Sequence, residues 1–403
     1  MKRKPVGLNE VFDVTLSANR LGRYVETTVA GEVVRAFVPP ALPPTPPIDV
    51  LSLLPRLSLA ERALGRLDGI TVLLPREELF LYMYVRKEAV LSSQIEGTQS
   101  TLSDLLRFET EARAGQPIDD IREVSNYVDA MMYGLKRLED LPLSLRLIRE
   151  MHERLMQSGR GAAKNPGEFR RSQNWIGGTR PGNALFVPPP IPELQIGLDE
   201  FERFMHEDTS GLPPLLKAGL LHVQFETLHP FLDGNGRIGR LLVTLYLCAN
   251  DVLRKPLLYL SLYLKAHRSD YYRLLQEVRE HGAWEAWLEF FLDGVAETAN
   301  QAFDSATRIV DLFKVDRERI SARSDRAGSA LRIHELLQQN PFATGPNLVE
   351  RTGLTAPTVN AALADLRRLD IVTEITGRQR GRVFAYAAYL SILDEGAASP
   401  VGG

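Results

Sequence analysis

Residues 229–240 read His-Pro-Phe-Leu-Asp-Gly-Asn-Gly-Arg-Ile-Gly-Arg and combine a histidine, a carboxylate, an asparagine and two arginines in twelve residues. Gly234 and Gly236 permit backbone conformations with positive φ, so successive N–H groups can converge on one anion. The apolar run 241–247 predicts that a helix starts directly after these glycines, and the N-terminus of a helix attracts phosphate. The stretch therefore predicts a phosphate-binding loop followed by a helix.

The charged side chains of this stretch suit phosphate chemistry. Arg237 and Arg240 are three residues apart, hence on one helix face, where guanidinium groups can bind phosphate oxygens in pairs. Asp233 would repel a phosphate unless a cation lay between them, and Mg²⁺ commonly binds one or two carboxylates together with substrate phosphates. His229 titrates near neutral pH and can take a proton from an attacking hydroxyl. Each residue alone has an ordinary structural explanation, but the combination favours phosphoryl or nucleotidyl transfer.

The stretch matches at every position the signature of the Fic family, His-x-Phe-x-Asp/Glu-Gly-Asn-Gly-Arg-x-x-Arg. The resemblance implies a protein that moves AMP from ATP to a Ser, Thr or Tyr hydroxyl of target proteins and of itself, with release of pyrophosphate. By this resemblance His229 is the general base, Asp233 holds Mg²⁺, and Phe231 anchors the loop in the core. The remaining polar positions would bind the phosphates of ATP: Gly234, Asn235, Gly236, Arg237 and Arg240.

Residues 77–97 combine a helical apolar pattern with the ending Ser-Ser-Gln-Ile-Glu-Gly. If the helix continues, Ser92 and Glu96 share one face and Gly97 stops it; on these residues alone, Glu96 is an ordinary surface carboxylate. The segment resembles the inhibitory helix, Ser-x-x-x-Glu-Gly, of many Fic proteins. The resemblance implies that Glu96 pairs with Arg240 and occupies the γ-phosphate position, which would be an N-terminal, intramolecular inhibition.

Two further features acquire a role from the resemblance. Residues 167–178 and 183–190 predict two short strands joined by a turn, which could be an ordinary surface hairpin. In Fic proteins a hairpin flap here borders the active site and aligns the target peptide by strand-like pairing. Tyr271 and Tyr272 have helical surroundings, where aromatic residues are usually core. The resemblance implies that Tyr272 lines the adenine pocket.

The C-terminal part has a pattern of its own. It predicts three helices and then a hairpin with a basic tip, at residues 330–337, 347–351, 355–369 and 371–386. This order resembles a winged helix. DNA binding would place the helix from Thr355 in a groove and Arg378, Arg380 and Arg382 against phosphates. Because residues 327–394 contain seven Arg and six Asp or Glu, protein docking or dimerisation fits as well.

Composition sets wider limits on the chain. A length of 403 residues with 44% hydrophobic content allows two or three domains, and a net charge of −3 argues against a globally basic nucleic-acid binder. Cys248 is the single cysteine, which excludes an internal disulfide and is consistent with a reducing, cytoplasmic location. No run of about 18 apolar residues occurs, so no membrane segment is expected.

These patterns predict a mainly α-helical protein, a Fic-type helical bundle with a small β-hairpin flap followed by a winged helix-turn-helix domain. The expected domains are a Pro-rich N-terminal arm at 1–49, the Fic core at 50–300, a charged connecting helix or linker at 301–326, and the winged helix at 327–394. A homodimer is plausible.

Two functional classes compete on this sequence. The first is an adenylyltransferase that uses ATP and Mg²⁺. The second is a winged-helix regulator or docking protein whose Fic core senses nucleotide. A variant keeps the fold but removes AMP, with Glu96 orienting water, or transfers another phosphate-linked group. The intact His229, Asp233, Asn235 and both arginines favour the first class.

Overall fold

The computed structural model describes residues 20–70, 77–110, 119–159, 161–207, 211–324 and 326–395. This part of the chain is mainly helical with small antiparallel sheets, which confirms the predicted fold class. It forms two compact units. The first comprises the residues up to Ala63, Asp129–Arg254 and Tyr263–Glu297, and the second comprises Leu64–Val128, Lys255–Leu262 and the residues from Thr298 onward. Within the described ranges, no helix is long and apolar enough to cross a membrane.

The first ten elements in chain order are β1 (Arg23–Val29), β2 (Glu32–Val38), α1 (Val50–Ile70), α2 (Glu77–Ile95), α3 (Leu102–Thr110), α4 (Asp119–Arg137), α5 (Leu145–Leu155), α6 (Ile191–His206), α7 (Pro214–Leu228) and α8 (Asn235–Ala249). They are followed by α9 (Ser261–Ala266), α10 (Arg268–His281), α11 (Trp284–Arg323), α12 (Ala327–Gln339), β3 (Phe342–Thr344), α13 (Gly345–Thr352), α14 (Ala356–Arg368), β4 (Thr373–Glu374), β5 (Val383–Ala385) and α15 (Ala387–Asp394).

Helix α7 forms the centre of the first unit. It is apolar around most of its circumference and is buried from Leu215 to Leu228, as expected for a helix surrounded by others. Helices α6, α8 and α10 pack against it. Glycines permit the closest approach: a Cβ on Gly239 of α8 would lie 2.6 Å from Glu226 Oε1 of α7. The end of α7 and the start of α8 are thereby held side by side.

A β-hairpin that the sequence analysis did not anticipate lies within residues 1–49, of which 1–19 are outside the described residues. Strands β1 and β2 pair antiparallel through the two-residue turn Ala30-Gly31, where both residues have positive φ (49° and 84°). Such turns match the twist of a tight hairpin. Residues 39–49, after the hairpin, lack regular structure, as predicted for the proline run.

The second unit contains the winged helix. Helices α12, α13 and α14 correspond to the three predicted helices, and the wing is carried by β4 and β5 in a sheet of order β3-β5-β4. Gly353, with φ of 69°, ends α13, and the side chain of Thr355 caps α14 by accepting a hydrogen bond from Thr358 N. Strand β3 and helix α15 were not predicted.

Helix α11 runs from Trp284 to Arg323 and therefore passes through the predicted domain boundary at residue 300. Of the two predicted forms of the charged segment, the helix is observed as far as Arg323. Its C-terminal part belongs to the unit of the winged helix, where Tyr386 donates a hydrogen bond to Asp316 Oδ2 at 2.7 Å.

Helix α2 is fastened within the same second unit. Lys87 of α2 is 3% exposed, donates to the carbonyl of Glu395 at 3.0 Å, and lies 4.5 Å from the centre of the Tyr259 ring. Ser103 of α3 donates to Asp394 Oδ2 at 3.3 Å. The helix with the predicted inhibitory ending thus shares a compact unit with the winged helix.

Candidate active site

The predicted base, His229, lies at the C-terminal cap of α7. Its backbone is left-handed, with φ of 47° and ψ of 59°, and its N–H donates to Phe225 O at 2.9 Å. Histidine is among the residues that adopt this conformation more often than most. The chain therefore leaves the buried helix at His229 and turns into the motif loop.

The loop after His229 is closed by buried hydrogen bonds. Phe231 is fully buried, which confirms it as the anchor of the loop. The side chain of Asn235 accepts a hydrogen bond from Phe231 N at 2.8 Å and donates one to Phe231 O at 2.9 Å. Asn174 donates a further bond to Phe231 O at 3.1 Å. Asn235 was predicted to bind phosphate; in this structure its side chain holds the loop, and the phosphate role stays a prediction.

Helix α8 begins at Asn235, two residues before the predicted start after Gly236, and carries Arg237 and Arg240 near its start as expected. Only Gly234 has positive φ (78°); Gly236 is helical, so the expectation of two such glycines is wrong. The first hydrogen bond of the helix joins Ile238 N to Gly234 O. The N–H groups of residues 235–237 come before this bond and therefore have no acceptor within the helix. The predicted phosphate site therefore lies at a helix N-terminus, where the helix dipole also favours an anion.

The charged side chains lie on this first part of α8. Arg237 and Arg240 are 6% and 3% exposed. Arg237 Nη2 lies 3.7 Å from Asp233 Oδ1 and 3.5 Å from the sulfur of Met156. The side chain of Asp233 is 43% exposed, and its Oδ1 accepts a hydrogen bond from Gly234 N at 2.6 Å. One accessible carboxylate thus stands beside two buried guanidinium groups.

This donor set fits a magnesium ion that is bound mainly through a substrate. Among the described residues no group of three or more His, Cys, Asp and Glu side chains could hold a metal ion by itself. Asp233 is the carboxylate available at the motif, and Mg²⁺ is typically bound by one or two carboxylates with phosphates and water. The site fits Mg²⁺ carried by ATP better than a metal caged by protein side chains.

His152 of α5 supports the loop and was missed by the sequence analysis. Gly167 N donates to its Nδ1 at 2.9 Å, so Nε2 carries the proton and donates to Asp233 O at 3.0 Å. Burial lowers the pKa of His152 to about 4, which keeps the imidazole neutral. In the sequence, His152 is a lone histidine in an amphipathic helix. Its position on the apolar face is the only feature that indicates burial, and no feature indicates its contact with the motif loop.

Arg170 is a second support that the sequence analysis missed, although it lies in the quoted segment 167–178. Its Nε donates to His229 O at 3.0 Å, its Nη2 to Pro189 O at 2.5 Å, and its backbone N–H to Pro230 O at 2.8 Å. The side chain is 3% exposed, and burial lowers its pKa to about 10. The guanidinium fixes the carbonyl of the predicted base.

The predicted flap is shorter than two strands. Ile176 and Phe186 form a single antiparallel bridge, with Ile176 N to Phe186 O at 2.8 Å and Phe186 N to Ile176 O at 3.2 Å. A turn of 3-10 helix at Pro181–Asn183 lies between them. Leu185, which follows this turn, is 80% exposed. The proline and glycine residues that mark the turn also limit the pairing.

The tyrosine pair divides into a buried and an accessible residue. Tyr271 is buried and donates to His222 Nε2 at 2.9 Å, and His222 Nδ1 in turn donates to Gly239 O at 3.0 Å. Burial lowers the pKa of His222 to about 4. Tyr272 is 44% exposed. Its ring is accessible to a nucleotide base, but the adenine contact stays a prediction.

The three predicted inhibitory residues lie in the second unit. Ser92 is buried in α2, Glu96 follows its last residue, and Gly97 has φ of 98°. The helix thus ends one residue before Glu96, whose N–H bonds to Ser93 O at 3.1 Å. Pairing of Glu96 with Arg240 stays a prediction.

A helix N-terminus with two arginines, a carboxylate and a positioned histidine defines a nucleotide phosphate-transfer class of site. Residues 54–136 match the Fic/DOC family N-terminal domain and residues 142–247 match the Fic/DOC family. The chain thus contains a Fic/DOC N-terminal domain and a Fic/DOC domain in these two segments, as the motif predicted. Residues 328–373 match a winged helix-turn-helix DNA-binding domain.

Curated relatives and solved structures agree with this assignment. The chain is 32% identical over 209 residues to a protein adenylyltransferase Fic of Drosophila virilis and, equally, to one of Drosophila grimshawi; each alignment covers 51% of this chain and 40% of the relative. The chain thus spans about two-fifths of the length of the curated relatives it matches. The crystal structure of a Fic family protein from Desulfovibrio desulfuricans G20 has a TM-score of 0.50 at 20% identity, covering 82% of this chain and 96% of that chain, and shows a shared fold.

Proposed function

We propose that the chain is a protein adenylyltransferase that moves AMP from ATP to a Ser, Thr or Tyr hydroxyl of a target protein or of itself. The observation that supports this best is the arrangement of the motif: His229 caps the end of α7, and Gly234 caps the start of α8 five residues later, so the predicted base and the predicted phosphate-binding helix N-terminus flank one short loop. Relatives named protein adenylyltransferase Fic are 32% identical over 209 residues of the chain.

The proposed reaction follows from the residues present. The imidazole of His229 takes the proton of the acceptor hydroxyl, whose oxygen forms a bond to the α-phosphorus of ATP. The bond from that phosphorus to the bridging oxygen breaks, and pyrophosphate leaves with the electron pair. Arg237, Arg240 and the N-terminus of α8 stabilise the negative charge on the phosphates. Mg²⁺, when bound, would neutralise further phosphate charge, and Asp233 would hold it.

Regulation belongs to the same proposal. Glu96 pairs with Arg240 and excludes the γ-phosphate, so that ATP binds in a position from which its α-phosphate is poorly presented. Ser92 and Gly97 set the end of α2 from which Glu96 extends. Removal of the Glu96 carboxylate should therefore increase transfer and leave the reaction dependent on His229.

The test is transfer of label from ATP labelled on the α-phosphate, with Mg²⁺, followed by intact mass. We expect one AMP on the wild type, at least about tenfold faster labelling in Glu96→Gly, and none in His229→Ala, which should still bind ATP because a base acts in the transition state. Glu139→Gly removes an exposed carboxylate from the turn that follows α4; it is the matched control for Glu96→Gly and should label as the wild type does. No label in any variant that binds ATP would favour AMP removal, another donor, or a nucleotide-sensing regulator.

DNA binding by residues 327–394 is a second candidate function. Asn360 and Arg367 are exposed on α14, and Arg378 and Arg380 are exposed on the wing, as a groove-binding helix with a phosphate-contacting wing requires. We expect Arg378→Ala and Arg380→Ala to weaken binding of a random-sequence duplex at low salt, with Arg332→Ala on α12 as the control. Equal binding by all three would count against this surface. A chain that elutes as a dimer without DNA would favour a dimerisation role.

A further inference from the structure

The flap has only a few pairing contacts of its own. Its one bridge, between Ile176 and Phe186, supplies two hydrogen bonds, Leu185 N donates a third to Ile176 O, and the side chain of Asn183 accepts from two N–H groups of the turn. An isolated two-stranded hairpin is marginally stable at best. A flap that aligns an extended acceptor segment must nevertheless be held in one position, because ordering it during binding would cost affinity. Something outside residues 175–187 must therefore hold it.

The hairpin β1–β2 contacts the flap along its whole length. At the base, Phe37 N donates to Val187 O at 2.9 Å, so β2 lies beside the returning flap strand. In the middle, Val29, Val34, Ala36 and Val187 form a buried cluster, against which the partly buried Val25, Trp175 and Ala184 pack. These contacts join two segments that are about 150 residues apart in the sequence.

At the tip, a single carboxylate holds the turn of the flap. Glu32 Oε2 accepts hydrogen bonds from Arg180 Nη1 at 2.5 Å and from Gly182 N at 3.1 Å. A Cβ on Gly182 would overlap this carboxylate. Glycine at this position therefore leaves the space that Glu32 occupies, and the hydrogen bond to Gly182 N fixes the turn directly through its backbone.

We propose that the hairpin β1–β2 is a brace that holds the flap in the position for acceptor binding, with Glu32 as the positioning residue at its tip. This inference rests on the proposed transfer of AMP to a protein acceptor. It adds a part of the chain outside the matched Fic segments 54–136 and 142–247 to the acceptor site. Glu32 does not touch the nucleotide-binding motif in this account; it acts through Arg180 and Gly182.

The first measurement is amide hydrogen exchange of the flap, which does not depend on any activity. In Glu32→Ala, exchange over residues 175–187 should be at least about threefold faster than in the wild type, since two hydrogen bonds to a carboxylate are lost at a partly exposed site. Glu32→Gln keeps one acceptor oxygen, so its flap exchange rate should lie between those of the wild type and Glu32→Ala. Glu26→Ala removes an exposed carboxylate of the same hairpin and should leave flap exchange unchanged.

The second measurement is self-labelling with AMP in a Glu96→Gly background. Glu32→Ala should slow labelling about three- to tenfold at saturating ATP while the affinity for ATP stays the same, because the brace acts on the acceptor side. Gly182→Ala should slow labelling in the same way. The double variant should label no more slowly than Gly182→Ala alone, because both changes break the same contact.

The outcomes separate the two proposals. Unchanged exchange of the flap in Glu32→Ala would overturn the brace, whatever the activity. Faster exchange with unchanged labelling would overturn its role in acceptor binding. If Glu96→Gly alone transfers no AMP, the proposed function fails, and the inference that the brace serves a protein acceptor fails with it, even where the exchange data show the brace itself.

Discussion

The imidazole of His152 lies flat on the ring of Phe231, with centroids 3.7 Å apart and planes 4° from parallel. The same imidazole bonds to Asp233 O, so one buried side chain holds both the apolar and the polar half of the motif loop. Burial keeps this ring neutral, so that Nε2 donates to Asp233 O while Nδ1 accepts from Gly167 N. The position of Asp233 thus depends on a residue about 80 positions earlier in the chain.

Substitution of His152 by Ala should destabilise the protein by about 2–4 kcal/mol, since it leaves a cavity and two unpaired backbone groups. Transfer of AMP should fall as Asp233 loses its backbone anchor. Denaturant midpoints and labelling rates measure the two effects. Arg146→Ala, an exposed change on the same helix, should stay within about 0.5 kcal/mol of the wild type. A His152→Ala protein with wild-type stability would contradict the described packing.

Acid should destabilise the protein through its buried histidines. Burial lowers the pKa of His152 and His222 to about 4, whereas an unfolded histidine has a pKa of about 6.5. Above pH 6.5 both states are neutral, and between about 6.5 and 4 the unfolded state binds a proton that the folded state does not. Stability is therefore lost as the pH falls, by about 2 kcal/mol for each histidine between pH 7 and 5.

Urea unfolding at pH 7 and pH 5 measures this loss. His281→Gln, a change at an exposed histidine, should leave the pH dependence as it is in the wild type. His222→Gln should reduce it. Equal unfolding free energies at the two pH values would show that neither imidazole is held neutral by burial.

His229 has a backbone role besides its proposed chemistry. Its φ of 47° is costly for most side chains but tolerated by Asn. His229→Asn and His229→Ala should both lose transfer, yet the Asn variant should be about 1 kcal/mol more stable, because Ala bears the full cost of the left-handed conformation. Thermal or urea unfolding of the two variants makes the comparison. An Ala variant as stable as the Asn variant would argue against a left-handed cap.

Gly234 should not tolerate a side chain. Its φ is 78°, and a Cβ would lie 2.9 Å from the sulfur of Met156 and 3.5 Å from His152 Nε2. Gly234→Ala should lose about 1–3 kcal/mol of stability and most ATP affinity, because the start of α8 would shift. Gly345→Ala, where no atom lies within 4 Å of the added Cβ, serves as the control. Calorimetric titration with ATP measures the affinity of each variant. An unchanged affinity in Gly234→Ala would show that the site tolerates a side chain at this position.

The residues of the candidate site could be named from the sequence because the motif is local; their chemical roles stay predictions. The sequence placed the start of α8 too late, since Asn235 and Gly236 contribute nothing to an apolar helical period. Asn235 was assigned to phosphate because its bonds to Phe231 form only once the loop closes. His152 and Arg170 were missed because they bind backbone carbonyl groups, which no side-chain pattern reveals. The hairpin β1–β2 was missed for a related reason: its buried face is completed by Val187, far away in the sequence.

Helix α2, which ends just before Glu96, is fastened by Lys87 and its neighbours inside the unit that also contains the winged helix. If Glu96 competes with ATP, and if a ligand of the winged helix shifts α2 within this unit, the two binding sites are thermodynamically linked. Such a link is reciprocal. If a ligand of the winged helix changes the affinity of the protein for ATP by a given factor, ATP changes the affinity for that ligand by the same factor. The nucleotide could then be read out at the C-terminal domain, and a titration of either ligand in the presence of the other would report the strength of the link.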